Sequence, residues 1–215
     1  PLPPGDVPSQ PDPFQLSILG RSGRNGAQTR YALEGSIHGA GSALNWLGAR
    51  DSLENIERAI GDALSAEHAP GLFLNTVDGL GSPWWCPGPP PEFVPATGLS
   101  SRQRLAAVIE SIVFLLRVNL EQLAAKRGPV RRVRVTGGLS RSERLCQRMA
   151  NGFGCRVEQL RSGEGTITGL WGRLSGSDAI SPGDRTFEPE DISGLEHSYR
   201  EWLQRMPAVP KPGGE

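Results

Sequence analysis

Apolar residues recur along the first part of the chain with the spacings of strands and helices. Two short strands are predicted over residues 14–19 and 29–33, and Asn25-Gly26 between them is a strong signal for a hairpin turn. Helices follow over residues 36–47 and from a capping-box-like start at Asp51 to about residue 66. The pattern therefore predicts an antiparallel pair of strands and then two helices.

The most regular helical pattern lies in the middle of the chain. Ser100-x-x-Gln103 opens a helix whose apolar residues recur every three or four positions until Gly128-Pro129 ends it. We expect this helix to cover the core with one face. A short strand is predicted over residues 72–77. After it the proline-rich residues 86–95 should form a long loop without regular structure, because proline cannot donate to a ladder.

The last third of the chain predicts a unit of strand, helix, strand and helix. A strand over residues 130–135 runs into two glycines, and Ser140-x-x-Glu143 is expected to cap the following helix. Residues 155–160 form the next strand. The helix after Ser140 is expected to turn these apolar residues inward: Leu145, Cys146, Met149 and Phe153. A short helix after the second strand has its own apolar stripe, formed by Ile167, Leu170, Trp171 and Leu174. A final helix is predicted over residues 193–206.

The chain has 215 residues, a length for which one compact domain is the default. Residues 1–13 carry six prolines and are predicted to form an arm or linker. The folded domain is expected over residues 14–206, with a flexible tail at 207–215.

Charge and composition exclude several classes of function. The 23 basic and 23 acidic residues balance to zero net charge, which argues against a broad nucleic-acid-binding surface. RNA binding remains a minor hypothesis because Arg131, Arg132 and Arg134 lie close together on one predicted strand. Such arginines are more often the solvent-facing side of a strand. With a mean hydropathy of -0.34 and no apolar run near 18 residues, no membrane span is predicted.

The cysteines and the amino terminus favour a cytoplasmic protein. Cys86, Cys146 and Cys155 are odd in number and widely spaced, which fits neither a disulfide scaffold nor a zinc site. The first residues do not have the pattern of a secretory signal. The chain does not begin with Met, which suggests either a processed product or a piece of a longer polypeptide, and the second is the preferred interpretation.

The most informative local feature is Val135-Thr136-Gly137-Gly138-Leu139-Ser140, an apolar strand that runs into two glycines and a helix start. Glycines let the backbone approach a bulky ligand, and a helix amino terminus suits phosphate. A tight turn without a ligand fits equally well. Neither a Walker A pattern nor a Rossmann glycine fingerprint is present.

Other candidate residues have more ordinary explanations. Glycines 39 and 41 favour close packing inside a helix, although they could also make room for a flat adenine ring. Asp78 before Gly79 is more typical of a turn than of a general base. The three histidines lack partners at catalytic or metal-binding spacing, and Trp84-Trp85 is more typical of a loop anchor than of a stacking platform.

Taken together, five segments resemble, in order and spacing, the C-terminal domain of the FGGY family of carbohydrate kinases, of the glycerol kinase and xylulokinase type. The resemblance covers residues 14–206 and rests on these segments: Tyr31-Ala32-Leu33-Glu34-Gly35-Ser36-Ile37, Ala40-Gly41-Ser42-Ala43-Leu44-Asn45-Trp46-Leu47, Gly79-Leu80-Gly81-Ser82-Pro83-Trp84-Trp85, Thr136-Gly137-Gly138-Leu139-Ser140-Arg141-Ser142 and Glu164-Gly165-Thr166-Ile167-Thr168-Gly169. The chain departs from the family at Cys86-Pro87, where an acid and Pro are usual, and at His38 and Asn45.

The resemblance implies an α/β fold, ribonuclease-H-like as in actin and hexokinase, with a mixed sheet flanked by helices. It implies ATP with Mg²⁺ as cofactor, bound between this domain and an N-terminal kinase domain. Gly137 and Gly138 would then pass under the nucleotide, Ser142 would be a polar contact, and Gly41 with Asn45 would flank the adenine.

In the family, the sugar site and the catalytic Asp lie upstream of the first matching segment. The resemblance therefore implies that residues 1–215 alone phosphorylate no sugar or polyol and supply no catalytic residue or metal ligand. A degenerate kinase-like interaction or regulatory module is the alternative. The sequence leaves the identity of the substrate open, and it leaves a homodimer open as well.

Overall fold

The computed structural model describes residues 14–22, 28–51, 56–64, 68–160 and 185–210. Within them the elements follow in chain order: β1 (Gln15–Ser22), β2 (Gln28–Glu34), α1 (Gly41–Asp51), α2 (Ile56–Ala63), β3 (Leu72–Leu74), β4 (Glu92–Val94), α3 (Ser101–Arg127), β5 (Arg132–Val135), a 3-10 turn (Leu139–Arg141), α4 (Glu143–Phe153), β6 (Arg156–Gln159), β7 (Arg185–Phe187) and α5 (Leu195–Arg205). The predicted arm, the short helix near residue 170 and the end of the tail lie outside the described residues.

Three strand groups carry the fold. β1 and β2 form the predicted antiparallel hairpin, with Gln15 opposite Glu34 and an irregularity between Ile18 and Gly20. β5 pairs parallel with β6, and β6 pairs antiparallel with β7, so this sheet is mixed. Since helix α4 connects β5 to β6 and packs on both β6 and α3, the strand–helix–strand unit predicted from the sequence is confirmed.

Helix α3 is the centre of the molecule. The predicted start at Ser100-x-x-Gln103 is confirmed and forms a capping box: Ser100 Oγ accepts from the Gln103 amide at 3.3 Å, and Gln103 Oε1 accepts from the Ser100 amide at 2.9 Å. The expectation that one face covers the core was wrong, since every residue from Leu105 to Leu115 is buried. One apolar cluster lies between α3 and helices α1, α2 and α4, and a second lies between α3, β3 and α5.

The proline-rich segment contains a strand that the sequence pattern did not predict. β4 pairs antiparallel with β3, and Phe93 lies opposite Phe73 with ring centroids 4.7 Å apart. Pro91 and Pro95 flank this three-residue strand without entering its ladder, which is how a short strand tolerates neighbouring prolines. β3 in turn is shorter than predicted and ends at Leu74.

Helix α1 begins five residues later and ends four residues later than predicted. Gly39 lies before the helix, where a Cβ would collide with the side chain of Asn75. Asp51 does not open the next helix. It closes α1 and accepts from Arg104 Nε at 2.8 Å, a contact between distant segments that local pattern cannot reveal.

The final helix, α5, is close to its predicted position. Trp202 is fully buried and donates from its indole nitrogen to the Phe73 carbonyl at 2.9 Å, which ties α5 to β3. Pro207, at the start of the predicted tail, accepts from the Trp84 indole at 2.9 Å. No helix among the described residues is long and apolar enough to cross a bilayer.

Candidate functional site

Gly137 and Gly138 form an exposed turn between β5 and the 3-10 turn. Gly137 has φ +97°, a conformation that strongly favours glycine. Gly138 is right-handed helical at φ -57° and ψ -51°, where any residue fits. A Cβ at either position would meet no atom within 4 Å. The backbone is therefore bare at both residues, and at Gly138 the fold itself gives no reason for the missing side chain.

Buried groups hold this turn from beneath. Ser140 Oγ donates to the Gly137 carbonyl at 2.8 Å. The Ser140 carbonyl in turn accepts from Gln159 Nε2 at 2.6 Å and from the Cys146 thiol at 3.2 Å. Gln159 was not among the site residues predicted from the sequence. Its signal was a polar residue at an inward position of β6, two residues after the fully buried Val157.

The helix after the turn starts later than expected. Ser142, not Ser140, is the amino-terminal cap of α4, and its Oγ accepts from the Leu145 amide at 3.4 Å. The 3-10 turn separates the two glycines from α4, so the amino terminus of that helix does not follow them directly. Glu143 in its first turn forms an ion pair with Arg185 of β7.

Gly41 and Asn45 lie one turn apart on α1 and are both exposed. A Cβ at Gly41 would meet nothing within 4 Å, whereas the same atom at Gly39 would strike Asn75. The close-packing interpretation therefore holds for Gly39 and not for Gly41. The structure thus groups the five predicted site residues into two sets, one on α1 and one before α4, and both helices pack against α3. All of them are exposed except Ser142, which is half-buried.

The loop after β3 carries two residues in an uncommon backbone conformation. Asp78 has φ 59° and Trp85 has φ 49°, values that bulky residues rarely adopt. Asp78 is exposed, and its carbonyl oxygen lies 3.3 Å from His38 Nδ1. Trp84 is the buried anchor that the sequence predicted, while Trp85 is 44% exposed and contacts the edge of His38. This loop therefore lies beside the segment that enters α1.

A buried ion pair connects helix α4 to the central helix α3. Arg148 of α4 donates to Glu110 Oε1 of α3 at 2.5 Å, and the same oxygen accepts from the Ala69 amide at 2.9 Å. Burial raises the pKa of Glu110, and the nearby Arg148 offsets part of that rise. The sequence signal was a single acid inside an otherwise apolar stretch of α3. The pair fixes α4, and with it Ser142, relative to α3.

The comparison with known families decides what kind of domain this is. Residues 7–172 match the C-terminal domain of the FGGY family of carbohydrate kinases, and that range is well over half of the chain. The chain belongs to this family. The FGGY resemblance drawn from the five segments is therefore confirmed.

Relatives and solved structures agree with this assignment. The chain is 34% identical to a glycerol kinase of Gloeobacter violaceus, over 94% of this chain and 43% of that protein. A Plasmodium falciparum glycerol kinase with ADP superposes with a TM-score of 0.72, 20% identity and coverage of 89% of this chain and 41% of that one. A xylulose kinase from Rhodospirillum rubrum gives 0.68 and 20%, covering 92% and 42%. The predicted α/β fold of the ribonuclease-H-like type is confirmed.

The FGGY domain described here is one part of what its relatives contain. The chain spans about two fifths of the length of the glycerol kinases that it matches. Among the described residues no group of three or more His, Cys, Asp or Glu side chains is placed to hold a metal ion. The exposed, bare glycines are compatible with a nucleotide lying against the turn, because their backbone has no covering atoms.

Proposed function

We propose that this chain is the ATP-binding half of a carbohydrate kinase that phosphorylates a hydroxyl group of a sugar or polyol. The observation that carries the proposal is the bare turn at Gly137 and Gly138, within a domain of a kinase family. A ligand that lies across this turn explains why Gly138 has no side chain, since the backbone at that position accepts any residue.

The remaining site residues would have separate roles in holding the nucleotide. Gly41 leaves room above the first turn of α1, and Asn45 offers an exposed amide one turn later for hydrogen bonds to a base. Ser142 has a hydroxyl that already accepts from Leu145 and can still donate to an oxygen of the nucleotide. Gln159 and Cys146 act as positioning residues, since they hold the Ser140 carbonyl under the turn.

The phosphoryl group would come from ATP, with Mg²⁺ neutralising the charge that develops on it. The described residues offer this chain no carboxylate cluster for the metal. We therefore assign the metal ligands, the catalytic carboxylate and the sugar site to an N-terminal kinase domain that joins this one in the whole protein. A cytoplasmic location, where ATP is abundant, accompanies this proposal.

Calorimetric titration of the 215-residue chain with ADP in the presence of Mg²⁺ tests the nucleotide site. We expect saturable binding, which Gly138→Trp abolishes because the indole would occupy the space over the turn. Gly61→Trp is the matched control, since Gly61 also has an ordinary φ and no atom within 4 Å of a Cβ. Gly138→Ala serves as a milder second variant and should weaken binding without affecting folding.

The result distinguishes this proposal from its alternative. If the wild-type chain gives no heat with ADP, or if both tryptophan variants bind as the wild type does, the turn is not a nucleotide site. A kinase-like regulatory module without nucleotide would then be the better description.

The isolated chain should also show no phosphorylation of glycerol or xylulose with ATP. The physical reason is that in-line transfer needs a carboxylate to take the hydroxyl proton, together with a closed cleft. A coupled assay for ADP release measures this. Turnover that depends on both ATP and the polyol would contradict the assignment of catalysis to another domain.

A further inference from the structure

A second cluster of charged residues lies at the amino-terminal end of the mixed sheet. Arg132 of β5 and Arg156 of β6 are register partners on adjacent parallel strands, so their side chains point to the same face of the sheet. Two residues further on, Arg134 pairs in register with Glu158 on that face. Like charges placed directly opposite each other destabilise a pair of strands unless something compensates them.

Two nearby carboxylates neutralise only part of the positive charge of these arginines. Glu158 is shared, accepting from Arg134 Nε at 2.8 Å and from Arg132 Nη1 at 3.3 Å. These two guanidinium groups hold the pKa of Glu158 below its usual range, so it stays ionised. Glu188 accepts from Arg156 at 2.7 Å.

A fourth arginine leaves the cluster with unbalanced charge. Arg131 is exposed and makes no hydrogen bond or ion pair with another residue in the described part of the chain. Among the residues that the structure describes, four guanidinium groups therefore meet two carboxylates, which leaves two positive charges in excess. Arg132 and Arg156 also keep half of their side-chain surface exposed, at 55% and 51%.

These residues surround an open depression. Its volume is about 480 Å³, and it is lined by Arg131, Arg132, Arg156, Glu188 and Pro189. β5 runs from this depression toward Gly137, so the two sites lie at opposite ends of one strand, roughly 17 Å apart from Arg132 to Gly137 at 3.3 Å per residue. The depression is therefore separate from the candidate nucleotide site.

We propose that this depression, termed here the arginine site, binds a small anion that carries a phosphate group. Arginine guanidinium groups match the oxygens of phosphate in bidentate pairs, and three of them line this one concave surface. A phosphate with two negative charges balances the excess charge of the cluster. Phosphorylated metabolites carry this group, so occupancy of the arginine site would make the domain responsive to their concentration.

The size and charge of the arginine site argue against nucleic acid as its ligand. A nucleic-acid surface extends over many phosphates and needs a continuous basic stripe. Here three arginines line one depression, Glu188 lies among them, and Glu158 pairs with Arg132 beside it. The described residues thus favour one phosphate group and not a polyanion.

Titration of the 215-residue chain with inorganic phosphate at constant ionic strength tests this proposal. Arginine Nε–Hε signals, followed by NMR, should shift in a saturable way at Arg131, Arg132 and Arg156. The double variant Arg131→Gln/Arg156→Gln should weaken the affinity at least about tenfold, because two charge-assisted contacts are lost. Arg200→Gln/Arg205→Gln is the matched control, since both arginines are exposed and ion-paired on α5.

Several results would overturn the arginine site. Shifts that grow linearly without saturation, or equal affinities for the two double variants, would show a non-specific surface. A single-stranded RNA oligonucleotide that binds more tightly than phosphate and shifts the same arginines would replace the small anion by nucleic acid. Gly138→Trp should leave the arginine shifts unchanged, so loss of the nucleotide site and loss of the arginine site are distinguishable.

Discussion

Gly39 and Gly41 are two residues apart, yet the fold needs only the first of them. A Cβ at Gly39 would collide with the Asn75 side chain, whose Nδ2 donates to the Gly39 carbonyl at 2.6 Å. The space around Gly41 is open. Packing within the chain therefore does not require glycine at position 41. A ligand that contacts the backbone there would explain the absence of a side chain.

Alanine at the two positions should separate packing from ligand binding. We expect Gly39→Ala to lower the free energy of unfolding by about 1–3 kcal/mol, because buried atoms must move. Gly41→Ala should be neutral or stabilising by up to about 1 kcal/mol, since alanine favours a helix. Urea denaturation measures both. Equal destabilisation by the two substitutions would contradict this interpretation of the glycines.

The buried thiol of Cys146 should make the stability of the chain depend on pH in the alkaline range. Burial raises the pKa of its thiol to about 11 from an ordinary value of 9.0. The folded chain therefore keeps a proton that the unfolded chain loses between these values, so stability falls as pH rises from 9 toward 11. Cys146→Ala should reduce that fall by at most about 2.7 kcal/mol, because each of the two pKa units corresponds to about 1.4 kcal/mol. Identical pH profiles for the two proteins, measured by urea denaturation, would exclude this role.

At the scale of elements, the junction of α3 with α4 depends on the Glu110–Arg148 pair. Glu110→Gln should cost about 3–5 kcal/mol, because it leaves Arg148 as an uncompensated buried charge. The double variant Glu110→Leu/Arg148→Met should recover most of that loss, since an apolar pair of similar size needs no partner. Denaturant midpoints of the single and double variants test this coupling. A double variant as unstable as the sum of its single variants would refute it.

The cap of α4 offers a second test at this scale. Ser142→Ala should destabilise the chain by about 1 kcal/mol through loss of the contact with the Leu145 amide. Ser140→Ala should instead disturb the turn, because Ser140 Oγ donates to the Gly137 carbonyl. Amide hydrogen exchange separates the two effects. Faster exchange at Leu145 in Ser140→Ala alone would reverse the assignment.

The local sequence pattern was sufficient to predict those elements that are determined by residues close together in the chain. The capping box and apolar period of α3 and the hairpin of β1 and β2 are of this kind. The sequence pattern failed where a distant residue decides the outcome. Gly39 lies against the Asn75 side chain and stays outside α1, and Asp51 forms an ion pair with Arg104. β4 forms because β3 lies beside it and supplies the backbone partners of its ladder. The same limit applies to the site, since Gln159 reaches Ser140 across 19 positions of sequence.

At the scale of the whole molecule, the two clusters of apolar residues meet at α3, and the elements that carry the candidate site residues pack on that helix. The packed helices therefore support the glycine turn, which is exposed. Under the proposed function, nucleotide bound at this exposed turn would be accessible to a second domain that closes on it.

The most direct test of this account is an NMR titration of the 215-residue chain with ADP and Mg²⁺, following backbone amide signals. We expect saturable shifts at Gly137, Gly138 and Ser142, together with shifts at Gly41 and Asn45 on α1. Absence of shifts at the two glycines while ADP binds elsewhere on the chain would contradict the claim that this turn is the nucleotide site.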